Sequence, residues 1–224
     1  MAMNIREQVE YFIRTEHTLE EGRHKSWEYC FNFFNTRPCI ADSDLDQASL
    51  MLAFYLASWG MYRGSSFLLQ YTYTVHKGAL RIVFDPRYAS LHYKPVITKD
   101  EVVLLFELIQ DLKRYYFEKS KPTSSPLTSY QQISDTLISK ILMGVLGNIP
   151  AYDRYAKMGL KELGFSQTMS EKGYLQLLDF YNKNQTEFDE LACQYGYPPM
   201  KIIDMYLWQV GYGASNLTLA SKKQ

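Results

Sequence analysis

The residues best placed to do chemistry gather in two stretches of the chain. The first runs from Ile138 to Tyr155, where an apolar helical pattern containing Lys140 and Gly144 turns at Gly147-Asn148. Ile149-Pro150 follows, and Asp153 sits at the start of the next helix with Arg154 and Lys157 behind it. The partial positive charge of a helix N-terminus keeps such a carboxylate ionised. An ionised carboxylate can orient or deprotonate a water, or stabilise positive charge developing beside it. Asp is also a preferred N-cap, so a purely capping role stands beside the chemical one. The second stretch is Ser58-Trp59-Gly60-Met61-Tyr62-Arg63-Gly64-Ser65-Ser66, where small residues, two aromatics and an arginine interrupt a strongly apolar pattern. Trp59 offers a stacking face, and Arg63, Ser65 and Ser66 offer polar groups, a mixture that suits a pocket between helices. The other reading is a helix–helix corner whose glycines permit close approach.

The remaining titratable residues carry weaker signals. Lys77 and Arg81 lie four apart with Arg87 following, and Lys113-Arg114, Lys119 and Lys121 form another basic set. Either could meet phosphates, although solvated helix faces commonly look the same. His17, His24, His76 and His92 show no metal-ligand spacing and are assigned no role. Asp42, Asp44 and Asp46 alternate as in a calcium loop, but the glycine and distal glutamate of that motif are missing, which leaves Asp42 or Ser43 as a helix cap. No nucleophile elbow, P-loop or dinucleotide fingerprint occurs.

On its first stretch, over roughly residues 129 to 164, the sequence resembles the helix-hairpin-helix DNA glycosylase superfamily. That family's signature is an apolar helix, a short glycine-containing turn, then a proline and an Asp at a helix N-terminus followed by basic residues. The resemblance implies that Asp153 is the catalytic carboxylate and Pro150 the helix-start proline. It implies a flipped base held by Trp59, Arg63, Ser65, Ser66 and Tyr152, and DNA phosphates met by Lys140, Arg154, Lys157, Lys77 and Arg81. Cleaving an N-glycosidic bond builds oxocarbenium character on the sugar, which a neighbouring carboxylate stabilises. Four departures from the family pattern matter, the first being that two residues separate Pro150 from Asp153 where one is commoner. No glycine lies between Ser124 and Ser134, where the phosphate-clamping hairpin belongs; Tyr155 stands where a His is usual; and Lys140 falls one turn after the position of the nucleophilic lysine of bifunctional members. The resemblance therefore implies a monofunctional enzyme that uses water and leaves an abasic site. The chain length, the missing lysine and the Trp59 segment also look similar to small bacterial phage-defence glycosylases acting on glucosylated hydroxymethylcytosine, with modified phage DNA as the partner. The alternative is a non-catalytic helical module that binds DNA or a protein.

Positioning these residues falls to helices. Apolar residues recur at three and four along most of the chain, while period-two alternation is scarce, so the expected class is all-α. Helices are expected over Ile5 to Leu19, Ser26 to Phe34, from Asp42 or Ser43 to Trp59, and over Ser65 to Phe84. The capping-box pattern Thr98-Lys99-Asp100-Glu101 opens Lys99 to Lys119. Ser129 to Leu146 follows, and a further helix starts at Ile149-Pro150. A second box, Thr168 to Glu171, opens a helix reaching Cys193, and Pro198-Pro199 precedes a last helix to about Val210 with a frayed tail after Gly211. The proline- and serine-rich run from Lys121 to Thr128 reads as a linker, giving a single two-lobed domain over 1–224 with a lobe boundary near 120–128.

Composition excludes other classes. The chain of 224 residues is 46% hydrophobic and 21% charged, enough for a sizeable core. Twenty-four Lys plus Arg balance 24 Asp plus Glu, so any nucleic-acid site must be local rather than a global basic field. Cys30, Cys39 and Cys193 form neither a disulfide framework nor a zinc motif, so no metal or other cofactor is expected. The apolar stretch from Leu50 to Tyr62 is about 13 residues, short of the roughly 20 that span a bilayer. The first residues lack the apolar run of a secretory signal, and the expected location is the cytoplasm, with no membrane partner.

Overall fold

The computed structural model describes residues 4–37, 39–64, 66–121 and 133–221, with side chains described through 216. Among these residues every regular element is helical and there is no strand. Helix α1 (Ile5–Glu16) starts where Asn4 accepts a hydrogen bond from the Glu7 amide, and its Ile5, Val9 and Phe12 form the buried stripe that the spacing predicts. Helix α2 (His24–Asn35) buries Trp27, Cys30 and Phe34 in the same manner. Helix α3 (Leu45–Ser58) buries Leu45, Ala48, Leu52, Tyr55 and Leu56, and packs against α2. Its N-cap residue is Asp44, not Asp42 or Ser43; Asp42 instead pairs with Arg81.

The expected helix over Ser65 to Phe84 does not form as one piece. Phe67–Gln70 and Tyr73–Val75 are single 3-10 turns, and only α4 (His76–Val83) is α-helical. Tyr71 and Thr72 between them are extended. The run Tyr71-Thr72-Tyr73-Thr74-Val75 is entirely β-branched and aromatic, residues that lose side-chain freedom against a preceding helical turn.

Helix α5 (Val102–Ser120) follows the expected capping box, in which the Glu101 carboxylate accepts from both the amide and the hydroxyl of Thr98. Helix α6 (Asp135–Val145) is capped by Ser134 and buried nearly all round. Helix α7 (Arg154–Glu162) is capped by Asp153 and begins four residues beyond the proline expected to open it, because Pro150 lies in the stretch joining it to α6. The expected helix to Cys193 divides at Asn184 into α8 (Glu171–Lys183) and α9 (Gln185–Tyr195), and its cap is Ser170 rather than Thr168. Most of the expected lobe boundary near 120–128 lies outside the described residues, which omit 122–132. Buried side chains from Ile5 to Val210 on both sides of it belong to one hydrophobic cluster. No helix among the described residues is long and apolar enough to cross a membrane.

Helix α10 (Pro199–Ser221) runs ten residues past the point where fraying is expected, and the reason is its packing on α7. The two backbones meet at glycine: a Cβ at Gly159 would lie 2.0 Å from the Leu207 carbonyl oxygen, and one at Gly211 would lie 1.9 Å from that of Tyr155. Gly211 is a contact residue, not a terminator. Nearby Gly213 has open space around it. Gly159→Ala and Gly211→Ala are each expected to lower the unfolding free energy by about 1–3 kcal/mol or more, since neither facing backbone can move aside. Gly213→Ala should be neutral or stabilising by up to about 1 kcal/mol through helix propensity. Urea denaturation of the three variants checks the contrast.

His76 at the start of α4 is fully buried, its ring held between the hydroxyls of Tyr62 (2.7 Å) and Tyr116 (2.6 Å). Burial lowers its pKa to about 4. The unfolded chain, with a histidine near the ordinary 6.5, binds a proton between these values when the folded chain does not. The stabilisation is complete above pH 6.5 and lost as pH falls towards 4, by on the order of 3 kcal/mol from this residue. Unfolding free energy measured across that window should show the decline, and His76→Gln should remove most of its own share of the slope.

Candidate functional site

The connector between α6 and α7 is buried, and hydrogen bonds from several surrounding elements pin it, as buried backbone favours. Gly147, at φ 68°, turns the chain out of α6 while its amide returns to the Leu142 carbonyl. The Tyr174 hydroxyl donates to the Asn148 carbonyl at 2.6 Å, and the Asn148 side chain donates to the Leu91 carbonyl at 3.0 Å. The Ala151 amide donates to Asp204 at 2.9 Å and the Tyr152 amide to the Ser139 hydroxyl at 2.8 Å. Finally, the Thr136 hydroxyl donates to the Tyr152 carbonyl at 2.7 Å. The residue delivered by this fixed path is Asp153.

Asp153 is extended and caps α7: its Oδ1 accepts from the amides of Tyr155 and Ala156, both at 3.1 Å. Its Oδ2 lies 3.6 Å from Nζ of Lys140. The Asp153 side chain is 21% exposed and that of Lys140 4%. Lys140 therefore does not reach the surface to meet a phosphate, as the resemblance implied; it is the counter-ion of Asp153. Burial lowers its pKa, opposed by the attraction of Asp153 and Asp204. Its ammonium also lies 4.9 Å over the ring of Trp59.

A second buried ion pair adjoins the first. Lys201 and Asp204 on α10 meet at 2.8 Å, and the Lys201 ammonium lies 4.9 Å over Trp27 and 5.8 Å over Trp59. Arg23 stands 4.8 Å from the Trp59 ring as well. Trp59, the C-cap of α3, is thus shared among three cations, and its buried Nε1 has no hydrogen-bond partner. The sequence carried one signal for Lys201 and Asp204: two charges three apart within an otherwise apolar helical stripe.

The structure unites Asp153, Lys140 and Trp59 and disperses the other candidates. Tyr152 is buried, its hydroxyl without a partner. Ser66 caps a 3-10 turn by accepting from the Leu68 amide, Arg63 is exposed and folded over Gly60, and Ser65 lies outside the described residues. Lys77 and Arg81 pair with Asp46 (2.6 Å) and Asp42 (3.0 Å) at the start of α3. Arg154 is exposed and Lys157 half-buried on α7, next to Asp153. The cavity beside Trp59, lined also by His17, His24, Trp27, Glu28 and Lys201, holds about 10 Å³. That is room for one water, far below the roughly 300 Å³ of a small-molecule pocket.

Comparison with known proteins finds no match among family models, curated proteins or solved structures.

The buried pair makes a stability prediction. Asp153→Asn keeps a capping oxygen but leaves the Lys140 ammonium without its counter-ion, and is expected to cost about 1–3 kcal/mol. Adding Lys140→Met should restore much of that loss, because removing both charges removes the uncompensated one. Chemical denaturation of both single variants and the double variant tests the coupling.

Proposed function

We propose that the chain is a monofunctional DNA glycosylase built on a two-lobed helix-hairpin-helix-type fold, with Asp153 as its catalytic carboxylate. The observation that carries this reading is the setting of Asp153: one carboxylate oxygen is fixed by two amides of the α7 N-terminus, and the side chain keeps a fifth of its surface open beside the exposed Arg154. An anion so held needs no reorganisation as positive charge grows on a sugar carbon, and it can direct a water at that carbon. The excised base is a modified one, with glucosylated hydroxymethylcytosine of phage DNA as the leading candidate. It would stack on Trp59, with Arg154 and Lys157 meeting the phosphates. The single-water cavity at Trp59 has to widen before a base enters.

The second reading is a non-catalytic helical module that binds DNA or a protein. It is favoured by the two cap bonds of Asp153 and by the closed cavity, which together describe a structural Asp. Abasic-site formation measured on modified and unmodified DNA, with binding followed in parallel, separates the two. The enzyme is expected to lose abasic-site formation in Asp153→Asn while retaining binding, and Trp59→Ala should weaken binding by about 1–3 kcal/mol. DNA binding without abasic sites on any substrate supports the module, and activity unchanged in Asp153→Asn ends the catalytic assignment.

A further inference from the structure

Three residues without recognisable ligand spacing in the sequence meet at the junction of α1 and α2. His17 is the C-cap of α1, His24 the first residue of α2, and Glu28 lies one turn later on the same face of α2. We propose that His17, His24 and Glu28 bind one divalent transition-metal ion, Zn2+ by the preference of the donor set. This inference goes beyond the glycosylase reading and does not depend on it.

One donor atom from each residue lies within 4.8 Å of the other two. All three line the cavity of about 10 Å³ beside Trp27, Trp59, Tyr197 and Lys201. His24 is buried, and its Nδ1 has no hydrogen-bond partner, although buried nitrogens are normally satisfied. Gly22 makes room for that ring: a Cβ there would lie 2.8 Å from Nδ1 of His24. Two imidazoles and a carboxylate are the protein ligands of zinc sites that leave the fourth, tetrahedral position to water or substrate.

The protonation states suit ligation. Burial, then the charges of His24 and Lys201, lowers the pKa of His17 to about 4, and burial lowers that of His24, so both rings are neutral at pH 7. Burial opposes the charge of Glu28, but hydrogen bonds from Lys25 and Tyr197 outweigh it and keep the carboxylate ionised. Two cations face the site. Lys201 is neutralised by Asp204, and Lys25, at 2.8 Å from Glu28, shares that carboxylate with an incoming ion.

The rings of His17 and His24 are stacked, with centroids 4.0 Å apart and planes 11° apart. Imidazole lone pairs lie in the ring plane, so capture of an ion turns one ring out of the stack. The ring that turns is that of His17, the less buried of the two and the residue at a helix end, and it must shift against Phe12 and Tyr197 to do so. With bonds of about 2.0–2.2 Å, the ion then draws the three donors closer than they stand now.

The test uses the full chain, stripped with a chelator and titrated with Zn2+ by calorimetry and with Co2+ by visible absorption. Saturation at one ion per chain is expected. His17→Ala and Glu28→Gln should each weaken binding at least about tenfold, and His92→Asn, distant from the site in the chain, should leave it unchanged. Carbethoxylation of the unmutated chain, mapped by mass spectrometry, gives a readout free of folding defects: Zn2+ should protect His17. Absence of saturable binding, binding indifferent to the two ligand substitutions, or no protection of His17 overturns the site.

Discussion

Buried Lys140, Lys201 and Asp204 lie beside the partly exposed Asp153 in this protein, and the placement of its candidate site depends on their mutual neutralisation. Taking a charge out of water costs several kcal/mol unless a counter-ion and hydrogen bonds replace the solvent. Lys140 has Asp153, Lys201 has Asp204, and each aspartate also accepts hydrogen bonds from backbone amides of the connector or of α7. Asp204 is the keystone of this arrangement, because one of its oxygens holds Lys201 while the other holds the Ala151 amide. Helix α10 thereby fixes the loop that presents Asp153.

The same arrangement accounts for the position of Trp59. A tryptophan ring face attracts cations most strongly where water is excluded. The ring sits where α3 ends and receives Lys140 from α6, Lys201 from α10 and Arg23 from the α1–α2 junction. Elements far apart in sequence thus converge on one aromatic face. The junction of α1 and α2 brings the stacked histidines to the cavity beside it, so a metal at His17, His24 and Glu28 would adjoin the Trp59 ring without sharing a ligand with Asp153.

Burial and openness pull against each other here. Asp153 is held by its two cap bonds and by a connector pinned at Asn148, Ala151 and Tyr152, and a fixed carboxylate is what electrostatic catalysis uses. The region that would receive a base is closed to the size of one water. Of the cavity wall, His17, Trp59 and Tyr197 lie outside regular helix, and Trp59 is followed by glycines of positive φ at 60 and 64. Reconciling a fixed carboxylate with an opening wall is the demand that the glycosylase reading places on this fold.

Much of the architecture was legible in the chain. Periodicity marked the buried stripes of α1, α2 and α5, the Thr98–Glu101 capping box appeared where its pattern lay, and Gly147 marked the turn out of α6, whereas the next helix opens at Arg154 and not at Ile149-Pro150. These features are local, set by residues within a turn or two of one another. Local pattern misled where longer-range packing decided: Gly211 looked like a helix end and is a backbone contact between α7 and α10. Lys140 looked like a phosphate ligand and is a buried counter-ion, and His17 and His24 looked unrelated and are stacked. The sequence by itself determined the all-helical class, most of the helical stretches and where an acid would cap one, but not where the segment from 65 to 84 breaks. Only the tertiary structure decided which charges neutralise each other and which rings meet, because those pairings join residues on different helices and are set by the shape of the shared core.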